Sequence, residues 1–299
     1  MEYNGVITKG IGGFYYVETA DGIFECKAKG KFRKKRISPL TGDRVTITVR
    51  DNKENTIDEI HNRKNSLSRP PVANIDVLVI VVSTCSPVPN TLVTDKMTVV
   101  AEKNNIEPVI IITKTDLQSA DQLVNIYSTT GYKIFTVSSD DKSQLDEIKS
   151  YLSGKLTAFT GNSGVGKSTL INALCPDLQL ETNEISNKLG RGKHTTRQAE
   201  IFHVDDCLII DTAGFSSLDF LNNGVILKDD LQHYFREFSD YIGQCRFSLS
   251  CSHVEDKGCK ICEMVEKGTI SKSRHDSYVS MYNEVKNLNE WEFNHKNSI

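Results

Sequence analysis

The 299 residues hold no apolar run long enough to cross a bilayer: the longest aliphatic stretch, Val77 to Val82, is six residues, against roughly 20 for a transmembrane helix. Proline is scarce at 7 residues, tryptophan occurs once, and no segment repeats or falls into low complexity, which excludes collagen-like and wholly disordered chains. The opening Met-Glu-Tyr-Asn-Gly lacks the basic stretch and apolar core of a secretory signal, so a cytoplasmic protein with no membrane partner is expected. A large excess of one charge is also missing, since the net charge is -3. Its distribution is uneven. Residues 1–69 carry 14 Lys/Arg against 9 Asp/Glu, and the remainder carries 22 against 30. Within the basic front, Lys27, Lys29, Lys31, Arg33, Lys34, Lys35 and Arg36 fall in ten residues, a density suited to phosphate backbones; a solvated loop is the plainer alternative.

At this length two or three domains are expected. Residues 1–60 read as five short strands: Gly5 to Thr8, Gly13 to Val17, Gly22 to Cys26, Asp43 to Val49 and Thr56 to Ile60, separated by Gly, Asp and Asn breakers. That count and size suit an oligonucleotide-binding (OB) barrel, with the basic run in the loop before the fourth strand. An unrelated barrel or docking domain is the alternative. From Asn74 the pattern becomes strand, helix, strand. Ile75 to Val82 and Pro108 to Ile112 are continuous apolar runs, as in strands buried on both faces, with a helix over Thr91 to Asn104 between them. Lys133 to Val137 and Lys155 to Phe159 are further strands, a helix is expected over 141–152, and Ile201 to Val204 and Cys207 to Ile210 bring the total to about six. After Leu218 the chain reads as helical. Tyr278, Met281, Tyr282, Val285, Leu288 and Trp291 form a stripe on a helix over 275–293, which reads as core packing. The fold class is thus multidomain α/β, with a β-barrel, a parallel α/β domain and a mainly helical end.

Gly161-Asn162-Ser163-Gly164-Val165-Gly166-Lys167-Ser168-Thr169 matches GxxxxGK[ST] between a predicted strand and a predicted helix, the setting a P-loop requires. Glycines let backbone N–H groups turn inward on phosphates, and the helix start adds favourable partial charge. Lys167 is the candidate for the β- and γ-phosphates and Ser168 for Mg2+. Asp211-Thr-Ala-Gly214, at the end of a strand, fits the DxxG element: Asp211 toward Mg2+ and the Gly214 N–H toward the γ-phosphate. Gly190 to Arg197 between them is glycine-rich and basic, as a switch loop would be, and Thr195 or Thr196 can offer it a hydroxyl.

Guanine-specific proteins use N-K-x-D after a strand. Thr113-Lys114-Thr115-Asp116 is the candidate here, with Asp116 pairing the N1 and N2 hydrogens, and Ser138 in Val137-Ser138-Ser139 is placed to touch the guanine carbonyl. Thr113 departs from the pattern, because a hydroxyl cannot offer an amide's paired donor and acceptor. In an ordinary GTPase these base-reading elements follow the P-loop; here they precede it, so the domain is circularly permuted. Phe215 follows Gly214 where Ras-like GTPases carry the water-positioning glutamine, which predicts slow intrinsic turnover. His194 is the candidate for positioning water, against an RNA contact or a loop cap.

With Arg69 to Asp76, Gly161 to Thr169, Gly190 to Thr196, Asp211 to Phe215 and the cysteine cluster below, the chain resembles, along essentially its whole length, the RsgA (YjeQ/YloQ) family of circularly permuted GTPases of small-ribosomal-subunit assembly. The resemblance implies an OB-fold RNA-binding domain over 1–68, a permuted GTPase domain over 69–218 and a zinc-binding helical domain over 219–299. It further implies GTP hydrolysis to GDP and phosphate, stimulated by the small subunit and linked to release. The expected cofactors are GTP/GDP, Mg2+ and one structural Zn2+. The expected partners are the small subunit and its rRNA, with no DNA, and the chain is expected to act as a monomer. Thr113 for Asn and Ala213 for Pro depart from the family pattern.

Of eight cysteines, Cys245, Cys251, Cys259 and Cys262 fall within 18 residues. Cys245-x5-Cys251-x-His253-x5-Cys259 offers three thiolates and an imidazole, a closed tetrahedral set suited to structural zinc. The family has a similar pattern with one residue fewer between the first two cysteines. Cys262 competes with Cys259 as the last ligand; the family's spacing after its histidine implies Cys259. Two other readings of the chain are a nucleotide-gated RNA-binding module with incidental hydrolysis and an ATP-dependent small-molecule kinase, the latter leaving Asp116 and the permuted order unexplained.

Overall fold

The computed structural model describes residues 1–51, 53–139, 141, 143–175, 199–204, 206–211 and 226–288. The first 60 residues form strands β1 (Glu2–Ile11), β2 (Phe14–Thr19), β3 (Gly22–Ala28), β4 (Arg44–Thr48) and β5 (Asn55–Ile60). They pair in the order β1-β2-β3-β5-β4, and β4 returns to β1, closing a barrel in which only the β3–β5 pair is parallel. This is the OB topology, and Ile7, Val17, Cys26, Val45, Ile47 and Ile57 fill it from inside. The basic run is not the loop expected from sequence. Lys27 ends up on β3, and Gly30–Lys34 forms a short helix, α1, because Phe32 turns inward to join the barrel core while Lys31, Arg33 and Lys34 face solvent.

A two-stranded ribbon, β6 (Ser66–Ser68) with β7 (Pro71–Ala73), leads out of the barrel. The second sheet follows: β8 (Val77–Ser83), β9 (Glu107–Thr113), β10 (Lys133–Val137), β11 (Leu156–Thr160), β12 (Glu200–Val204) and β13 (Cys207–Asp211). Its order is β10-β9-β8-β11-β13-β12, parallel except for the antiparallel β12. The strand that leads into the P-loop, β11, therefore lies in the middle although the chain enters the sheet at β8. Alternation explains the unbroken apolar runs. Leu78, Ile80, Val82, Ile110 and Ile112 join one core, while Val77, Val79, Val81, Val109 and Ile111 join the other.

On the first face lie α2 (Thr91–Lys103), capped by the Asn90 side chain accepting from the Val93 N–H, and α3 (Asp121–Tyr127), which sequence reasoning did not anticipate. On the second lie α4 (Ser143–Leu152) and α5 (Lys167–Leu174). The helical end comprises α6 (Lys228–Leu231), α7 (Lys260–Glu266), α8 (Lys272–Val285) and single 3-10 turns, and it extends the first face's core through Phe235, Phe238, Tyr278 and Met281. Helix α8 starts three residues earlier than expected and stops at Val285. Leu288 still packs on the core from beyond its end, and Trp291 lies outside the described residues. Among the described residues no helix is long and apolar enough to cross a membrane.

The barrel sits against the far edge of the second sheet. Strand β1 pairs with β12 at Lys9 and Glu200, whose side chains are 2.7 Å apart, and the Thr41 hydroxyl donates to the Ala199 carbonyl at 3.0 Å.

Candidate functional site

The ends of β8, β9, β10 and β11 point the same way, so the loops that leave them converge at one edge, where parallel α/β sheets place their ligands. From Thr160 the chain turns through 161–166 into α5. Gly161 has φ of +140°, and a Cβ there would stand 2.3 Å from the Val81 carbonyl oxygen, so the loop can approach β8 only with glycine. The Lys167 ammonium folds back onto the loop, donating to the carbonyls of Gly161 and Asn162, the latter at 2.9 Å, and burial lowers its pKa from the ordinary lysine value.

The end of β9 reaches the same loop. The Thr113 hydroxyl, buried, lies 2.6 Å from the Val165 carbonyl oxygen and 3.3 Å from that of Val82. Lys114, at φ of +61°, donates to the Gly164 carbonyl at 2.8 Å and to that of Ser86. Asp116 is exposed and accepts from the Ser139 N–H at 3.2 Å, the bond that does most to hold its carboxyl below the usual aspartate range. The Ser138 hydroxyl accepts from the Asp141 N–H at 3.2 Å. Thr113 and Lys114 are thus joined to the 161–166 loop, although 48 residues separate Thr113 from Gly161 in the chain, and Asp116 is joined to the turn after β10 that carries Ser138. Asp211 ends β13, which neighbours β11, so its backbone is one strand away from the loop. His194, Thr195, Thr196, Gly214 and Phe215 lie outside the described residues.

Sequence reasoning missed the loop after β8. The Thr84 hydroxyl donates to the Lys114 carbonyl at 2.7 Å, the Thr84 N–H donates to the Thr113 carbonyl at 3.1 Å, and Ser83 donates to the Pro87 carbonyl at 2.7 Å. This loop braces the 113–116 turn beside the P-loop, and the Lys114 ammonium reaches a carbonyl of each. The signal was a run of Ser, Thr and Pro at the end of a fully buried strand, Ser83-Thr-Cys-Ser-Pro-Val-Pro89.

A second cluster lies in the helical end. The ligand atoms of Cys245, Cys251, His253 and Cys259 lie within 4.8 Å of one another, all four residues buried. His253 Nδ1 faces the sulfurs, 3.5 Å from Cys245 and 3.4 Å from Cys259, while its Nε2 meets Gln232 Oε1 at 2.8 Å. That outer bond fixes the tautomer with the proton on Nε2 and leaves Nδ1 to coordinate. Gln232, 21 residues upstream of His253, could not be recognised from spacing. The Lys260 N–H donates to Cys245 Sγ at 3.2 Å and the Cys262 N–H to Cys259 Sγ at 3.5 Å, bonds suited to thiolates. Burial pushes the Cys259 thiol up to about 12, so a bound cation would be needed for it to ionise at neutral pH. Cys262 is outside the group, its sulfur 3.7 Å from the His253 and Val254 carbonyls. The donor set fits a closed zinc site.

Comparison with known proteins gives a consistent picture. Residues 60–221 match the family model described as RsgA GTPase, and residues 4–57 match that of the RsgA N-terminal domain. A small ribosomal subunit biogenesis GTPase RsgA from Caldanaerobacter subterraneus subsp. tengcongensis is 46% identical over 286 residues, covering 94% of this chain and 95% of the relative. One of the same name from Halalkalibacterium halodurans is 40% identical over 288 residues, covering 94% and 97%. Among solved structures, YjeQ from Thermotoga maritima aligns with a TM-score of 0.82 at 36% identity, covering 97% of this chain and 100% of that one. YloQ, a circularly permuted GTPase, aligns at 0.78 and 34%, covering 95% of each.

Proposed function

The chain belongs to the RsgA GTPase family, and from that membership we propose that it hydrolyses GTP to GDP and phosphate on the small ribosomal subunit, as a monomeric cytoplasmic factor in the subunit's late maturation. The observation that carries the reading is the pair of bonds from Thr113 to Val165 and from Lys114 to Gly164, which ties the candidate base-reading turn to the phosphate loop. In this reading Asp116 pairs the guanine N1 and N2 hydrogens, Lys114 lies along the ring, Thr115 borders the base, Thr113 holds the turn to the phosphate loop, and Ser138 meets the carbonyl. The N–H groups of Gly161, Asn162, Ser163, Gly164, Val165 and Gly166 cradle the phosphates, Lys167 contacts the β- and γ-phosphates, and Thr169 closes the first turn.

Ser168, at the start of α5, and Asp211, at the end of the adjacent β13, are the residues that would hold Mg2+, which when bound neutralises phosphate charge. Gly214 and one of Thr195 and Thr196 report the γ-phosphate. Because Phe215 cannot orient water, the unaided rate is slow; docking orders the loop that carries His194, and His194 positions the attacking water. Hydrolysis then triggers release. Cys245, Cys251, His253 and Cys259 would hold one Zn2+, whose closed shell leaves no place for water and so serves the fold. The barrel's exposed basic helix supplies the rRNA contact.

The test is GTP turnover by the protein alone, with small subunits and with large subunits. Strong stimulation by small subunits alone is expected, and no stimulation would leave a slow nucleotide switch without this partner. His194→Ala should abolish most of the stimulated rate while leaving subunit binding in place; full stimulated turnover would remove the residue from the mechanism.

A further inference from the structure

Thr113 occupies the first position of the base-reading turn, yet its contacts are with the phosphate loop. We propose that Thr113 is a positioning residue for the phosphates, acting through the Val165 carbonyl, and takes no part in reading the base. The inference rests on the reading of Gly161 to Thr169 as the nucleotide's phosphate site. Thr113 is only 6% exposed, and its hydroxyl is turned onto the Val165 and Val82 carbonyls, whereas Asp116 is exposed. The Thr113 hydroxyl lies 2.6 Å from the Val165 oxygen, a short bond between segments 52 residues apart.

Peptide geometry gives that bond its consequence. The Val165 carbonyl and the Gly166 N–H belong to one planar trans peptide, so they point in opposite directions and cannot turn independently. Holding the carbonyl toward β9 therefore aims the Gly166 N–H away from β9, into the loop. Lys114 does the same one peptide earlier: its bond to the Gly164 carbonyl aims the Val165 N–H. Gly166 lies beside Thr113, where a Cβ would make only an ordinary contact at 3.8 Å, and it is the φ of +95° that calls for glycine there. An asparagine carries its polar group farther from the backbone, whereas the shorter threonine packs its hydroxyl directly against the loop. The substitution keeps the tie to the phosphates and gives up any amide toward the base.

The experiment measures release of GDP and of inosine diphosphate, which lacks the 2-amino group facing Asp116, from the full-length wild type, Thr113→Val and Thr113→Ser. Valine keeps the shape and removes the donor. Release of both nucleotides from Thr113→Val should quicken by the same factor, roughly tenfold for a lost buried hydrogen bond, with the GDP to inosine diphosphate ratio unchanged. Thr113→Ser, which retains the hydroxyl, should restore slow release. If Thr113→Val is too unstable to assay, Thr113→Ala is read by the same ratio. Wild-type release rates in Thr113→Val, or loss of GDP preference without faster release of inosine diphosphate, would overturn the proposal. A wild type that binds ADP as well as GDP would overturn the guanine reading of Asp116, a failure distinguishable from these two.

Discussion

Arg274 of α8 donates to Asp95 of α2 across 2.7 Å, with both side chains fully buried. The same guanidinium donates through Nε to Glu237 at 2.7 Å and lies 4.5 Å from the centre of the Phe235 ring. One side chain thereby ties the helical end, with its Cys/His cluster, to the helix that follows the β8 loop bracing the 113–116 turn. Lys96 and Glu284, 2.7 Å apart at the edge of the same α2–α8 contact, continue the tie at the surface.

Removing Arg274 alone leaves two carboxylates buried together without their cation. Arg274→Met is expected to cost about 3–5 kcal/mol, read as a lower urea midpoint, and adding Asp95→Asn and Glu237→Gln should recover part of that loss. A change below about 1 kcal/mol would mean that solvent reaches the carboxylates once the arginine is gone.

These features differ in how far the sequence revealed them. The strands of the second sheet were legible because burial on both faces leaves a continuous apolar run, as at Val77 to Val82. The P-loop was legible because its chemistry demands glycines at fixed spacing. Arg274 was not, since its partners lie 37 and 179 residues away and a buried arginine reads locally like an exposed one. Helix α3 is short, and its buried residues Leu123 and Tyr127 are too few to set a period. Thr113 was legible as a departure from a pattern, but its bond to Val165 depends on a strand and a loop meeting through the fold.

Cys262 and Cys259 make a pair that sequence spacing could not separate, and their surroundings now predict different outcomes. Cys262→Ser should retain one zinc per chain, because that sulfur faces the His253 and Val254 carbonyls. Cys245→Ser should lose the zinc and melt the helical end at lower temperature. Metal analysis of each purified variant, with its melting curve, decides; zinc loss from Cys262→Ser would move it into the ligand set.

Lys103, at the end of α2, has its pKa lowered to about 8 by burial, which outweighs the attraction of Asp230. The folded chain thus binds fewer protons than the unfolded chain between pH 8 and the ordinary lysine value of about 10.4, so this group's contribution to stability rises with pH across that window. Below pH 8 the charge opposes folding. Lys103→Met should therefore raise the melting temperature at pH 7, and its advantage over the wild type should shrink steadily from pH 8 to 10. An advantage constant with pH would show that packing, not the buried charge, sets the difference.

The barrel's basic run divides into two groups. Lys27 pairs with Glu54, and Lys29 with Asp58 at 2.8 Å, so their charges are already partly matched. Lys34, Lys35 and Arg36 are exposed and carry no ion pair among the described residues. If this surface meets rRNA phosphates, each of these three releases a counterion on binding. Replacing all three with alanine should then flatten the plot of log affinity for small subunits against log salt by roughly two to three units, with affinity falling most at low salt. Lys27→Ala, whose charge is offset by Glu54, should change the slope by less than one unit. An unchanged slope in the triple variant would remove the barrel helix from the RNA contact, even if the subunit still stimulated hydrolysis.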